Sequence, residues 1–316
     1  MSAGKTVFVE APARLHLGLL DLAGDLGRRF GGLGAALAAP SLLLEARAAD
    51  ELTAEGAESE RLLLYARRFL DRHRIEGGAA LRLRRAIPPH SGLGSGTQIA
   101  LATARALAAL FGREEDAEAL ARATGRAQRS AVGTWLFERG GFVLEGGRTA
   151  GDAPAPLLLQ RELPAAWRCL VVIPDVPQGL SGAAEADAFR ALPAPSPELS
   201  GRIARVVLMV VLPALVEADL EGFGRGISEL QTLVGEVFRP IQGEHFAHPL
   251  VASLVDALLK SGAAGAGQSS WGPAVFGLFK DEREAQSAAE GLRGHLEGAP
   301  LFVSAFQNHG ATCWTA

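Results

Sequence analysis

PPHSGLGSGTQIALATARAL, running from Pro88 to Leu107, is the stretch that decides the fold. Its first half is a turn in which Gly92, Gly94 and Gly96 alternate with Leu93, Ser95 and Thr97. Its second half is an unbroken helical pattern, expected from Gly96 to Phe111 and closed by Gly112 as a C-terminal cap. A helix start presents unpaired N–H groups at the positive end of the dipole, and glycines let an anion approach the backbone. Ser95 and Thr97 add hydroxyl donors or simply cap the helix. The pattern therefore fits a phosphate seat or a ligand-free structural cap. It is not a P-loop, because no lysine follows the last glycine. Its glycine spacing also fails the dinucleotide fingerprint.

Outward from this turn, strands and helices interleave. TVFVEAPARLHLGLLDL (6–22) alternates as two strands broken at Pro12, with Arg14, His16 and Gly18 on one face and Leu15, Leu17 and Leu19 on the other. A Gly-rich loop, GDLGRRFGGLG (24–34), and a strand, SLLLEARAA (41–49), follow. Leu62, Tyr65, Ala66 and Phe69 mark an amphipathic helix, and AALRLRRAI (79–87) a strand that stops at Pro88. Beyond the turn a helix is expected over 114–128, then a turn, short helix and strand in SAVGTWLFERGGFVLEGG (130–147). GDAPAPL (151–157) reads as the boundary between two lobes, 1–152 and 153–316. The second lobe offers strands RCLVVIP, AVFGLF and LFVSAF, and three long helices between Pro197 and Lys260. The hairpin-like spacing near the start points to α+β rather than a doubly wound sheet.

Composition narrows the function classes. The 316 residues carry a net charge of −4, which argues against nucleic acid as a partner. Cys169 and Cys313 show neither metal spacing nor a disulfide framework. The first residues lack a signal-peptide core, and the apolar run Val206–Val216, interrupted by Pro213, is too short to span a bilayer. It reads as a buried helix or a subunit interface. The expectation is a cytoplasmic protein with no membrane partner.

Pro88 followed by Gly92-Leu93-Gly94-Ser95 is similar to the phosphate-loop motif of the GHMP kinase superfamily. APARLHLGLLDL (11–22) resembles its first motif, and GAAGAGQSSWGPAVFGLF (262–279) its third. The resemblance implies a two-lobed α+β fold. A lobe like ribosomal protein S5 domain 2 joins a ferredoxin-like lobe, with the phosphate site between them. One departure matters. Kinases of the superfamily commonly carry an aspartate where this chain has Gly133 and Thr134, which weakens an ATP-dependent kinase reading. Four segments, 14–37, 88–101, 133–147 and 265–278, resemble one branch, the β-ribofuranosylaminobenzene 5′-phosphate synthases of methanopterin biosynthesis. That branch implies a decarboxylating pentosyltransferase acting on phosphoribosyl diphosphate and 4-aminobenzoate, with Mg2+; a homodimer is the default expectation for a soluble enzyme. An ATP-dependent kinase of a small alcohol is the alternative.

The reaction so implied assigns residues. Gly92, Leu93, Gly94, Ser95, Gly96 and Thr97 hold one phosphate group; Gly267, Gln268, Ser269 and Ser270 help with another, in an order left open. Asp21 stabilises the positive ribose C1 and shares Mg2+ with Glu138, although an Asp before Ala-Gly also reads as a turn former. Arg28, matched more closely than Arg29, grips the acceptor carboxylate. Arg14, His16 and His90 are candidate substrate contacts, and Trp135 or Trp271 could stack on the acceptor ring or belong to the core.

Overall fold

The alternation over Thr6–Asp21 builds one 16-residue strand, β1, rather than two. Pro12 does not break it. The ladder to the next strand, β2 (Phe30–Ala49), slips register between Pro12 and Ala13, and that bulge absorbs the proline. Gly31, Gly32 and Gly34, expected in a loop, therefore lie in β2, and only 22–29 form the turn. Gly34 is needed there because a Cβ would stand 2.4 Å from the Leu15 carbonyl oxygen. A computed structural model describes residues 5–316 apart from Asp152, Ser181, His295 and Glu297.

The first half continues with β3 (Thr53–Glu55), α1 (Ser59–His73), β4 (Gly78–Arg85), α2 (Ser95–Leu110), α3 (Ala117–Thr124), α4 (Val132–Arg139) and β5 (Phe142–Glu145). The second half holds β6 (Leu157–Arg161), β7 (Arg168–Val172), α5 (Gly182–Ala191), α6 (Pro197–Val206), a π-helical segment (Val207–Val211), α7 (Leu212–Glu217) and α8 (Leu220–Gln242). It ends with α9 (Pro249–Lys260), β8 (Gly265–Gln268), β9 (Val275–Phe279), α10 (Glu282–Arg293), β10 (Leu301–Ala305) and β11 (Thr312–Thr315).

These strands form two sheets, an α+β arrangement as expected. One runs β11-β1-β2-β4-β3, with β5 on β2 and β6 on β5; the other is antiparallel, β10-β7-β9-β8. The split at 152/153, whose Asp152 lies outside the described residues, does not separate the sheets: β6 and β11 both join the first. The main core runs continuously from β1, β2, α1 and α2 into α8. A smaller core lies between the four-stranded sheet and helices α9 and α10.

α2 is the central helix. Leu62, Tyr65, Ala66 and Phe69 of α1 are buried as expected. α2 itself starts on Gly94, which adopts the left-handed region (φ 80) and leaves the N-terminus without a side-chain cap. The segment Pro197–Glu217 is 21 residues long with mean hydropathy 1.9, and by length and composition it is long enough to cross a bilayer. Its inner face, Ile203, Val207, Val211 and Leu215, packs into the core. The expectation of a buried helix fails on the other face, where Leu208, Met209 and Val216 are exposed.

Candidate active site

A cavity of ≈ 610 Å³ opens between the start of α2, the β8–β9 loop, α5 and α8. Its floor is a seam between the two glycine-rich turns. The Ser269 hydroxyl donates to the Gly92 carbonyl (2.9 Å) and accepts from the His16 amide (3.0 Å). The Ala274 amide donates to Ser91 O (2.9 Å), and the Ser270 amide to His16 O (3.2 Å). Gly92 permits this seam: a Cβ there would sit 2.3 Å from the Ser269 carbonyl oxygen. Of the residues expected to hold phosphate, Gly92, Gly94, Ser95, Gly96, Thr97, Gln268 and Ser270 line the cavity. The other three support it from behind. Leu93 is buried and its carbonyl accepts from the Arg14 amide (3.0 Å). Ser269 is fully buried in the seam, and Gly267 makes room for Gln231, whose Cγ would lie 2.4 Å from a Cβ.

Four arginines line the same cavity: Arg14, Arg61, Arg126 and Arg129. Arg14 donates to Gly92 O (3.2 Å). Burial lowers its pKa to about 10, with Glu185 opposing and Arg126 adding to the shift, so it stays charged near neutrality. Arg126 donates to Gly96 O (2.7 Å) and to the Tyr65 hydroxyl. Arg61 pairs with Glu58 (2.9 Å) and meets His90 Nε2 at 2.7 Å. Arg129 pairs with Glu185, the only carboxylate among the described residues lining the cavity.

Arg126 and Arg129 were not singled out from the sequence. They follow Gly125, the left-handed C-cap of α3, on a segment that the buried Glu145 fixes. Glu145 accepts from the amides of Gly147 (2.8 Å) and Ala131 (3.3 Å) and from the Ser130 hydroxyl, while burial raises its pKa to about 7. Ser130 Oγ in turn meets His16 Nε2 at 3.2 Å. Burial, with Arg14 nearby, depresses His16 to about 3, so its imidazole is neutral.

The cavity also carries an aromatic cluster. Phe189 packs edge-on against Phe30 (5.6 Å), Trp271 (5.5 Å) and Phe238 (6.0 Å), and Phe238 lies 4.4 Å from Trp271 between centroids. All four rings line the cavity. Trp135 does not; its indole N–H donates to Ala155 O (2.8 Å) inside a separate small core.

Asp21, Arg28 and Glu138 do not line the cavity. Asp21 pairs with Phe30 in the ladder, beside the aromatic cluster. Its carboxylate accepts from the amides of Ala23 (3.0 Å) and Gly24 (3.2 Å) and from Ser200 Oγ (2.7 Å), which makes it the residue that shapes the 22–29 turn. Arg28, exposed on that turn, donates to Gly147 O (3.0 Å). Glu138 pairs with Arg105 (3.1 Å) near the end of α4. The expected sharing of Mg2+ by Asp21 and Glu138 does not fit. Each is committed to other donors, and no group of three metal-ligating side chains occurs among the described residues. At the position where superfamily kinases carry a carboxylate, a Cβ on Gly133 would stand 3.5 Å from Arg14 Nε.

Comparison with known proteins adds the lineage. The family model for the GHMP kinases N terminal domain matches residues 60–135, and that for GHMP kinases C terminal matches 211–298. The chain is 33% identical to the β-ribofuranosylphenol 5′-phosphate synthase of Methanothermobacter thermautotrophicus, covering 96% of this chain and 98% of that protein. It is 31% identical to the enzyme of the same name from Methanocaldococcus jannaschii, over 88% and 90% of the two chains. Among solved structures, L. major mevalonate kinase in complex with R-mevalonate gives TM-score 0.74 at 16% identity, over 98% of this chain and 97% of that one. A homoserine kinase from Cytophaga hutchinsonii gives TM-score 0.70 at 20% identity over 99% of each chain. Those two likenesses establish the fold.

Proposed function

The chain belongs to the GHMP kinase superfamily and, within it, to the β-ribofuranosylphenol 5′-phosphate synthase family, and from that premise we propose a decarboxylating pentosyltransferase of methanopterin biosynthesis. It condenses phosphoribosyl diphosphate with 4-aminobenzoate and releases CO2 and diphosphate. The relatives' name carries a phenol, so the 4-hydroxy analogue is the competing acceptor.

One observation carries the reading: a single cavity is lined both by arginines around the start of α2 and by the rings of Phe30, Phe189, Phe238 and Trp271. A 5-phosphate and a diphosphate need several fixed cations and backbone donors, and Arg14, Arg61, Arg126 and the Gly94–Thr97 turn supply them. A benzoate ring needs a flat apolar wall, and edge-on rings supply that. Held in one cavity, the two substrates are brought side by side, which is the positioning that bond formation requires. A kinase reading has less support, because a side chain at 133 would face Arg14 and none is there.

The residues' work follows. Arginines stabilise the diphosphate as it takes the electron pair of the C1–O bond. The ring carbon bearing the carboxylate attacks C1, and the C–CO2 bond then returns its pair to the ring. Neutral His16 hydrogen-bonds without adding charge. Arg28, which donates to Gly147 O outside the cavity, is proposed to give up that bond and swing to the acceptor carboxylate from the turn beside Phe30, with Asp21 as the residue positioning that turn. Mg2+ is assigned to the substrate's diphosphate rather than to a protein-built site. A homodimer in the cytoplasm is the assembly we propose, and the exposed Leu208, Met209 and Val216 face is available to it.

The test is direct. Purified protein with phosphoribosyl diphosphate, Mg2+ and carboxyl-labelled 4-aminobenzoate or 4-hydroxybenzoate should release labelled CO2 without ATP. ATP-dependent phosphorylation of an alcohol, with no label release, would refute it.

A further inference from the structure

Glu185 stands out in a cavity with four arginines, because it is the only carboxylate lining the cavity among the described residues. It sits on α5 four residues before Phe189, so both side chains share one helix face. Its partner Arg129 lies 5.7 Å from the Phe189 ring centroid. On the other side Glu185 acts electrostatically on Arg14, the guanidinium packed against the Gly94 turn. The carboxylate thus stands beside both an arginine and an aromatic ring of the cavity, where ribose C1 lies if the phosphates sit on the arginines and the acceptor on the rings.

Resting on the transferase reading, we propose that Glu185 faces ribose C1 and stabilises the positive charge that develops there, while Arg129 is its resting partner and passes to the departing diphosphate. In the resting enzyme Arg129 neutralises the carboxylate and keeps it from repelling an anionic substrate. When the C1–O bond breaks, its electron pair leaves with the diphosphate and C1 becomes positive. The new charge on the diphosphate attracts Arg129, and the carboxylate freed in the same step faces the carbon that needs it. The ring carbon then supplies the electrons of the C–C bond, and the C–CO2 pair returns to the ring as CO2 departs. No proton, oxidant or further reactant enters. Asp21, whose oxygens already accept three hydrogen bonds outside the cavity, is relieved of this role.

A carboxylate that favours a cation in the transition state works against anion binding in the ground state, and this contrast supplies the test. Glu185 is isosteric with glutamine and its side chain is 22% exposed, so Glu185→Gln should fold. Calorimetry with phosphoribosyl diphosphate should give an unchanged or tighter Kd, whereas kcat for labelled CO2 release should fall about 100-fold, the size of one electrostatic group. Glu185→Asp should recover part of that rate. Arg129→Ala should instead weaken phosphoribosyl diphosphate at least tenfold. If Glu185→Gln keeps wild-type kcat, or weakens the substrate as Arg129→Ala does with kcat intact, Glu185 is only a tether and the proposal is wrong. A wild-type protein that releases no label overturns the transferase reading itself, a result distinct from either.

Discussion

Restoring the missing carboxylate is the sharpest perturbation the site allows. Gly133 lies in the first turn of α4, and a Cβ there stands 3.1 Å from Thr97 Cγ2 and 3.5 Å from Arg14 Nε. Gly133→Asp places a carboxylate one bond further along the same direction, within ion-pair reach of Arg14. At ~4 Å and an effective dielectric of ~20, the attraction is about 4 kcal/mol. Desolvating the new carboxylate takes back a large share, leaving roughly 1.4–2.8 kcal/mol that the substrate must overcome to recruit Arg14. The Kd for phosphoribosyl diphosphate should therefore rise about 10- to 100-fold. Gly133→Ala carries the same Cβ contact with Thr97 without the charge, and should stay within about threefold, or ~0.7 kcal/mol, of wild type. Titration calorimetry on both variants, with thermal unfolding to check folding, decides the matter. Equal losses in the two variants would make the effect steric. Wild-type affinity in folded Gly133→Asp would show that Arg14 does not hold the substrate.

Three further outcomes are expected. Gly94→Ala forces an L side chain into φ 80 with its Cβ 2.4 Å from Arg14 Cγ, so it displaces Arg14 rather than filling the anion's seat. It should cost about 1–2 kcal/mol in denaturant unfolding and weaken phosphoribosyl diphosphate at least tenfold. His16, depressed from 6.5 to about 3, contributes stability that is present above pH 6.5 and lost as pH falls toward 3. Glu145, raised from 4.5 to about 7, contributes the opposite slope: stability fully present below pH 4.5 and lost as pH rises through 7. Urea unfolding across pH 4–8 should show His16→Asn flattening the first slope and Glu145→Gln the second; unchanged slopes would place both groups in water. Arg28→Ala should raise the KM for 4-aminobenzoate about 10- to 100-fold and leave phosphoribosyl diphosphate nearly unaffected, with Arg28→Lys recovering part. A KM effect on phosphoribosyl diphosphate instead would make Arg28 a phosphate ligand.

Much of the fold was legible because its signals are local. Period-two alternation marked β1, period 3.6 marked α1 and α2, and the glycine turn at 92–97 marked the cavity floor. Pro12 misled, since a single proline looks like a strand break, while the bulge that accommodates it depends on β2, a partner 29 residues away in register at Ser41. The exposed β11 has no apolar alternation and forms only because β1 offers it an edge. The site was half legible. Backbone turns announce themselves through glycine, so the turn that lines the cavity was found. Arg126, Arg129 and Glu185 reach the cavity through tertiary packing, and in an arginine-rich chain nothing in their spacing separates them from solvated residues. Asp21 drew attention by its place at a strand end, the same place that a turn-forming aspartate occupies.

β11 has a consequence for how the molecule is made. It runs antiparallel along Val7–Glu10, stacks Trp314 on Phe8 at 5.6 Å, and ties Ala316 to Thr6 through both backbone groups. During synthesis the first strand emerges some three hundred residues before its outer neighbour. Throughout that interval one edge of β1 is a row of unpaired N–H and C=O groups, the kind of template on which nascent chains stick together. Such a sequence-distant closure makes folding slow relative to its stability. Removing β11 would thus take away no residue that lines the cavity, yet return the protein to the exposed edge of its nascent state, where aggregation rather than lost chemistry sets its lifetime.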